Sequence, residues 1–248
     1  MKIGTRIRWV KSCPSTNDLA RELALAGEEE GTVVIAEEQT KGRGTRGRSW
    51  YSTKKKGLYA SAILRPSKPA ISLLPLVAGL AVREAIFESL RIRIRLKWPN
   101  DLIWEEKKLG GILCETGFMG NHLSYVILGI GLNISHNLED FPPEIRTQAT
   151  SLKLIKEEDV KVKDILPRLW PALNGWYELF LRGEEEKVIR SFEENSALPL
   201  GKKIAVVTEK RVYEGIFKGI DSFGGLILEE RGREKCFFSA QIKTIKSK

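Results

Sequence analysis

The stretch KGRGTRGRSW, residues 41–50, decides how the chain is read. Gly42, Gly44 and Gly47 are spaced G-x-G-x-x-G, the pattern of a dinucleotide-binding turn. Such a turn must leave a strand, open a helix and be followed about 20 residues on by an acidic side chain. The strand is predicted: TVVIAEEQ, residues 32–39, is rich in β-branched residues. The helix is not, because Gly47 is followed by Arg48, Trp50, Tyr51, a lysine run and a further strand-like segment, GLYASAIL. Nothing acidic lies between Glu38 and Glu84. Context therefore excludes a doubly wound dinucleotide fold. A kinase lid is excluded because neither H-R-D nor D-F-G follows. What remains is glycine-rich backbone among Lys41, Arg43, Arg46 and Arg48, whose N–H and guanidinium groups suit an anion such as phosphate. A basic surface hairpin without a ligand is the alternative that these residues leave open. Trp50 and Tyr51 serve either case, as core anchors or as ligand walls.

Working outward, PSTNDLARELALAG reads as a helix with Ser15 or Thr16 as cap and Gly27 as stop. SLLPLVAGLAVREAIFESL has apolar positions at helical spacing, with Pro75 tolerable in its first turn. RIRIRLKW alternates charged and apolar residues, the period of a half-buried strand, and places its arginines on the wet face. DLIWEE, LGGILCETGF and LSYVILGIGLNIS predict a strand series with turns at Glu106–Lys108 and at Gly120–Asn121. Residues 137–163 read as a loop region. DILPRLWPALNGWYELFLRG and EEEKVIRSFEENS then read as helices, the first despite Pro167 and Pro171. After Pro199 the texture changes to five short strands split by Gly and Asp turns, a small barrel of about 50 residues. The chain is thus expected to divide into a mixed α+β domain, 1–197, and an all-β domain, 198–248.

Bulk properties bound the function. Forty-two per cent of the 248 residues are hydrophobic, enough for a sizeable core. The formal net charge of +9 favours anionic partners, or else a surface rich in solvated charge, since the basic residues are spread along the chain. Cys13, Cys114 and Cys236 are far apart without a C-x-x-C, which predicts neither zinc nor disulfides and suits a reducing cytoplasm. The longest apolar stretch, near residues 73–82, is too short to span a bilayer. With only His122 and His136, a histidine-based triad or metal site is not expected.

Three further constellations accompany the glycine loop. In KWPNDLIWEEKKLGGILCE, Pro99 fixes the backbone before Asn100 and Asp101, with Lys97 before and Lys108 after, and Gly110 and Gly111 permit close approach. Ser15, Thr16 and Asn17 stand at a helix start, where exposed N–H groups can cap or bind a ligand. GIGLNIS ends a strand at Asn133. Taken singly, each also reads as a turn, a bulge or a cap. Taken in order, STN at 15–17, EEQTKGRGTRGRSW at 37–50, KWPNDLIW at 97–104, KKLGGILCE at 107–115 and GIGLNIS at 129–135 resemble the biotin–protein ligase family. KWPND followed by K-L-G-G-I-L is the specific part of that likeness.

The resemblance implies a mixed sheet with helices, similar to class II aminoacyl-tRNA synthetases, plus a C-terminal SH3-like barrel. It implies that biotin and ATP combine to biotinyl-5'-AMP with release of pyrophosphate. Biotin then passes to one lysine of a biotin carboxyl carrier protein. By the same analogy Ser15, Thr16 and Gln39 would hold the biotin ureido end, with Asn17, Gly42, Arg43, Lys108 and Gly111 completing the biotin site. ATP would meet Arg43, Trp50, Asn100, Lys108 and Asn133. Lys108, Arg43 and Arg46 would carry catalysis by neutralising charge on the α-phosphate, and Asp101 would help hold Mg²⁺. Biotin's carboxylate is itself the nucleophile, which fits the scarcity of histidine. Two departures qualify the analogy. Thr45 stands where family members often carry an arginine, so adenylate retention is expected to be looser. With STN at residue 15, this sequence has no room ahead of it for the DNA-binding winged helix of some relatives. No DNA and no membrane partner is expected, and a homodimer lined by residues 91–97 is an option. Lipoate–protein ligases and octanoyltransferases, similar in fold, are the runner-up.

Overall fold

The computed structural model describes residues 2–68 and 70–244. Its elements in chain order are β1 (Arg6–Val10), α1 (Thr16–Leu25), β2 (Thr32–Ala36), β3 (Gly57–Leu64), α2 (Leu74–Leu90), β4 (Arg95–Lys97), β5 (Asp101–Trp104), β6 (Lys107–Met119) and β7 (His122–Asn133). They continue with α3 (Leu152–Lys156), α4 (Val162–Arg182), α5 (Glu185–Glu194), β8 (Lys203–Val207), β9 (Val212–Ile220), β10 (Leu226–Glu230), β11 (Arg233–Phe237) and β12 (Gln241–Thr244). Seven strands form one sheet in the order β1-β2-β3-β7-β6-β5-β4. β1 and β2 run parallel, and the other neighbours are antiparallel. The sheet is therefore mixed, as expected.

Strand alternation assigns the two faces. Leu58, Ala60, Ala62 and Leu64 of β3 and Val126, Leu128, Ile130 and Leu132 of β7 all enter the large core with α2 and α4. α2 is apolar on nearly every side and is correspondingly buried, from Leu74 through Ile86. α4 presents the stripe Ile165, Leu169, Leu173, Tyr177 and Phe180. That packing outweighs the cost of Pro167 and Pro171, about 3 kcal/mol for a proline in a helix interior. On the opposite face α1 seats Ala20 and Ala24 against Val34, Ile63, Tyr125 and Ile127. The same alternation turns Gly129, Gly131 and Asn133 to the α1 side, beyond the end of that small cluster.

Four details differ from the sequence-based expectation. Arg6–Val10, read only as lacking a signal core, is β1. The expected strand over 91–98 shrinks to Arg95–Lys97, because its partner β5 is only four residues long. Ile92 and Ile94 still point inward while Arg91, Arg93 and Arg95 stay exposed, so the alternation was real but the ladder was absent. The turn expected at Glu106–Lys108 lies at Glu105–Glu106, with Glu105 at φ 53° and Lys107 already in β6. The expected loop 137–163 contains α3 and the first residues of α4.

The C-terminal strands form a separate antiparallel sheet, β11-β10-β9-β8-β12, consistent with an SH3-like domain. Ile204, Val206, Phe217, Leu226 and Leu228 fill it and join the large core. Trp98 Nε1 donates to the Gly224 carbonyl at 2.9 Å, and Ile220 N donates to Glu193 Oε1 at 2.8 Å. These bonds fasten the small sheet to the turn between β4 and β5 and to α5.

Candidate functional site

A cavity of about 350 Å³, in the range of small-molecule sites, opens on the α1 face of the large sheet. One wall is the start of α1. Ser15 has extended backbone before the helix, but its side chain makes no cap bond, contrary to the capping role read from sequence. Gln39 supplies the cap instead: its Oε1 accepts from Thr16 N at 2.7 Å and from Thr16 Oγ1 at 3.0 Å. Gln39 Nε2 in turn donates to Ser52 Oγ at 2.8 Å. The buried Ser61 hydroxyl bonds Thr16 Oγ1 and Asn17 Oδ1 at 2.7 and 2.6 Å. Asn17 Nδ2 donates to Glu115 Oε2 at 2.7 Å. A Cβ on Gly129 would fall 2.3 Å from Asn17 Oδ1, so only glycine leaves that side chain its place. Ser15, Thr16, Asn17 and Gln39 all line the cavity, buried or nearly so.

The arginine-rich loop closes over a second side. Trp50 N donates to the Gly42 carbonyl at 2.9 Å and Gly44 N to the Arg48 carbonyl at 2.7 Å, folding the loop on itself. Gly42 has its own backbone reason: a Cβ there would lie 2.4 Å from the Trp50 carbonyl oxygen. It does not line the cavity. Arg43, Gly44, Thr45, Arg48, Ser49 and Trp50 do. Arg46 sits at φ 58°, exposed, and reaches Ser239 Oγ of the small sheet at 3.4 Å. Its side chain is outside the cavity, so the structure does not place it with Lys108. The Trp50 indole lies flat enough on β7 that a Cβ on Gly131 would come within 2.7 Å of its Cε2. Its Nε1 is buried without a partner.

β5 and β6 bring the third side. Lys108 Nζ is 2.6 Å from Asp101 Oδ1 and 5.6 Å from the Trp50 ring centroid. Asn100 Nδ2 donates to the Ile112 carbonyl at 2.6 Å, pinning the Pro-Asn-Asp turn to β6. Asn133 Nδ2 donates to the Thr150 carbonyl at 3.0 Å. Lys97, Asn100, Asp101, Lys108, Gly111 and Asn133 all line the same cavity as the arginine loop. The two basic segments read from sequence therefore share one hollow.

Two of the cations that line that hollow, Arg43 and Lys108, are already paired. Arg43 makes a bidentate contact with Asp18, at 2.6 and 2.8 Å, and meets Glu115 at 3.3 Å. Its hydrogen bond holds the Asp18 carboxyl below the usual carboxylate range, and Asp18 holds Arg43 above the usual arginine range. The pair fixes both terminal nitrogens of Arg43 toward acidic partners. Asp101 is likewise occupied by Lys108. Among the described residues no group of three or more His, Cys, Asp or Glu could hold a metal ion. Asp101 and Glu106 are the carboxylates among the residues that line the cavity.

Sequence reasoning missed one wall. Phe141, Ile145, Gln148 and Ala149 line the cavity from the stretch read as loop. They are held there by Lys108 N donating to the Gln148 carbonyl at 2.7 Å and Thr150 N donating to the Lys108 carbonyl at 2.9 Å. The one local signal was FPPEIRTQAT, apolar residues spaced within a proline-rich turn. Gln241, at the start of β12, also reaches the cavity.

A mixed sheet that gathers polar helix-start residues, a basic glycine loop and a Lys–Asp pair round one hollow belongs to a definite class. The model of the Biotin/lipoate A/B protein ligase family matches residues 9–133, and that of the biotin protein ligase C terminal domain matches residues 200–247. The chain belongs to the biotin/lipoate A/B protein ligase family. Within it, the likeness is to the biotin ligases. The chain is 34% identical to the bifunctional ligase/repressor BirA of Bacillus spizizenii over 97% of its own length and 74% of that protein. It is also 34% identical to the biotin–[acetyl-CoA-carboxylase] ligase of Paracoccus denitrificans, over 86% of this chain and 90% of that one. The biotin protein ligase of Aquifex aeolicus in complex with biotin and ATP superposes with a TM-score of 0.84 at 30% identity, over 98% of this chain and all of that one.

Proposed function

We propose that the chain activates biotin with ATP to biotinyl-5'-AMP and transfers biotin to a lysine of a biotin carboxyl carrier domain. The observation that carries this reading is the shared hollow of the arginine loop, Lys108 and the Ser15–Thr16–Asn17–Gln39 network, set in a fold matching a ligase solved with biotin and ATP. The polar network offers paired donors and acceptors to a ureido group, and Gly111 leaves open space toward a bicyclic ring. The Trp50 indole, Asn133 and Phe141 make a flat-walled compartment suited to a purine.

The chemistry follows from position. A carboxylate and an α-phosphate must approach as two anions, so the groups between them must be cationic and fixed before reaction. Lys108 fits: its backbone is pinned by Gln148 and Thr150, and its ammonium is held by Asp101. In the reading proposed, Lys108 Nζ moves from Asp101 to the reacting oxygens as they arrive. This frees the Asp101 carboxylate for Mg²⁺, which would offset charge on the phosphates. Arg43 keeps its pair with Asp18 and orders the loop, while Arg48 covers the phosphates. Arg46 acts from outside the cavity by joining the loop to Ser239.

The domain division at 197/198, a cytoplasmic location and a ligase that needs no DNA belong to the same proposal. No described helix is long and apolar enough to cross a membrane. The test is mass spectrometry of a biotin carboxyl carrier domain after incubation with the protein, ATP, Mg²⁺ and biotin, with pyrophosphate release followed in parallel. A single added biotin on one carrier lysine is expected. Pyrophosphate release with lipoate but not with biotin would refute the reading.

A further inference from the structure

Away from the cavity, three arginines that act on one another gather where α2 meets the margin of the large sheet. Arg83 of α2 is half-buried, and its Nε is buried with no hydrogen-bond partner. Burial and the like charges of Arg93 and Arg95 push its guanidinium below the usual arginine range. Arg93 is exposed and lies over the Phe87 ring at 5.2 Å, with Arg91 over the same ring at 5.3 Å. Among the described residues, Arg83, Arg93 and Arg95 make no ion pair with any carboxylate. Glu84 acts on Arg83 through its charge without pairing with it, and the side chains of the acids of α2 and of the end of α5 bond other groups. Glu84 accepts from Trp176 Nε1 at 2.7 Å, Glu88 pairs with Arg91 at 3.6 Å, Glu193 accepts from Ile220 N at 2.8 Å and Glu194 pairs with Arg190 at 3.1 Å.

A half-buried guanidinium flanked by two exposed ones of like charge is unfavourable unless an anion compensates the group. Their location says which anion. Arg95 stands two residues before Lys97, which lines the cavity, so it lies about 7 Å along the strand from the mouth, and Arg93 lies in the segment just before β4. The outward backbone of β4 is already closed, because Leu96 N donates to the Asn195 carbonyl at 3.0 Å and Ala197 N to the Leu96 carbonyl at 2.8 Å. Recognition here therefore falls to side chains rather than to added strand pairing. A second copy of the chain, brought up by a two-fold axis through β4, would set arginine against arginine. The remaining macromolecule that must reach this mouth is the carrier domain bearing the acceptor lysine.

We infer that Arg83, Arg93 and Arg95 form a docking platform for an acidic face of that carrier domain, holding it while its lysine enters the cavity past Lys97. The inference rests on the ligase reading above. Arg93 and Arg95 make the contact, and Arg83 holds them apart and outward by repulsion.

The test compares the wild-type protein with the R93E/R95E variant on a biotin carboxyl carrier domain of net negative charge. Carrier biotinylation is measured alongside pyrophosphate release from biotin and ATP alone. The carrier KM is expected to rise at least about tenfold in the charge-reversed variant, with pyrophosphate release unchanged and R93K/R95K within about twofold of wild type. Added salt should raise the wild-type carrier KM and narrow the difference. An unchanged carrier KM in R93E/R95E, with pyrophosphate release intact, overturns the platform. So does binding of duplex DNA, or of a second copy of the chain, that is lost in the variant while carrier KM stays put. Should the wild-type protein release no pyrophosphate with biotin, the ligase reading falls. Calorimetric binding of the carrier domain to the same variants then decides the platform on its own.

Discussion

Replacing Gly131 with alanine adds one methyl group to β7 directly beneath the Trp50 indole. That methyl would stand 2.7, 2.8 and 2.9 Å from Cε2, Nε1 and Cζ2 of the ring. Carbon atoms in contact rest at about 3.5–4.0 Å, so the ring must lift by roughly 1 Å. The backbone at Gly131 has no positive φ, so alanine brings no strain of its own there. The lift is toward the cavity, which Trp50 walls and where Lys108 Nζ stands 5.6 Å from the ring. A displacement of this size in a positioning group costs on the order of a hundredfold in rate, about 3 kcal/mol of transition-state stabilisation. Overpacking should cost about 1–3 kcal/mol of stability as well. Gly129→Ala supplies the internal comparison, since its methyl would meet Asn17 Oδ1 at 2.3 Å and disturb the bonds to Ser61 and Glu115. Initial rates of pyrophosphate release, titrated separately in ATP and biotin, read the difference. Gly131→Ala should raise chiefly the ATP KM and lower kcat, and Gly129→Ala should raise chiefly the biotin KM. Wild-type kinetics in Gly131→Ala, or the two effects exchanged, would refute the assignment of Trp50 to the nucleotide side.

Lys108→Ala should reduce adenylation by about a hundredfold or more, the scale for losing one charge-stabilising donor, while the thermal unfolding midpoint stays near wild type; full pyrophosphate release in this variant removes Lys108 from the chemistry. Asp18→Asn should leave Arg43 without its bidentate partner and loosen the loop, seen as faster proteolysis at Arg46 and Arg48 and as a higher KM for both substrates. His136, buried and stacked on Phe141 at 5.0 Å, has its pKa lowered to about 4, chiefly by burial. Because the folded value lies below the unfolded value of about 6.5, the unfolded chain takes up the proton first. Stability present above about pH 6.5 is then lost as pH falls toward 4, by about 3 kcal/mol in all. His136→Phe keeps the stack and should remove that slope from urea midpoints measured between pH 4 and 7. Thr45→Arg should lower labelling of an unrelated bystander protein incubated with biotin and ATP, and unchanged labelling counts against looser adenylate retention in the parent chain.

Much of this molecule was legible before any coordinates. β3 and the ends of α1 and α2 follow from apolar periodicity and from glycine or proline punctuation, because burial of one face is written into local spacing. So are the five strands of the small sheet, and the segments that build the cavity, because glycine and proline betray close backbone approach. Lys108, Gln39 and Trp50 were found by that route together with the family likeness. The pairing of the cations was not found. Arg43 meets Asp18 across 25 residues and Glu115 across 72, and these contacts exist only because α1 crosses the sheet where β6 lies beside β7. Nor could spacing show that Gln39 rather than Ser15 caps α1, that Arg46 turns outward, or that Phe141 to Ala149 form a wall. Spacing records which side of its own element a residue faces; strand order and the path of a loop decide what stands opposite, and charge pairing depends on what stands opposite.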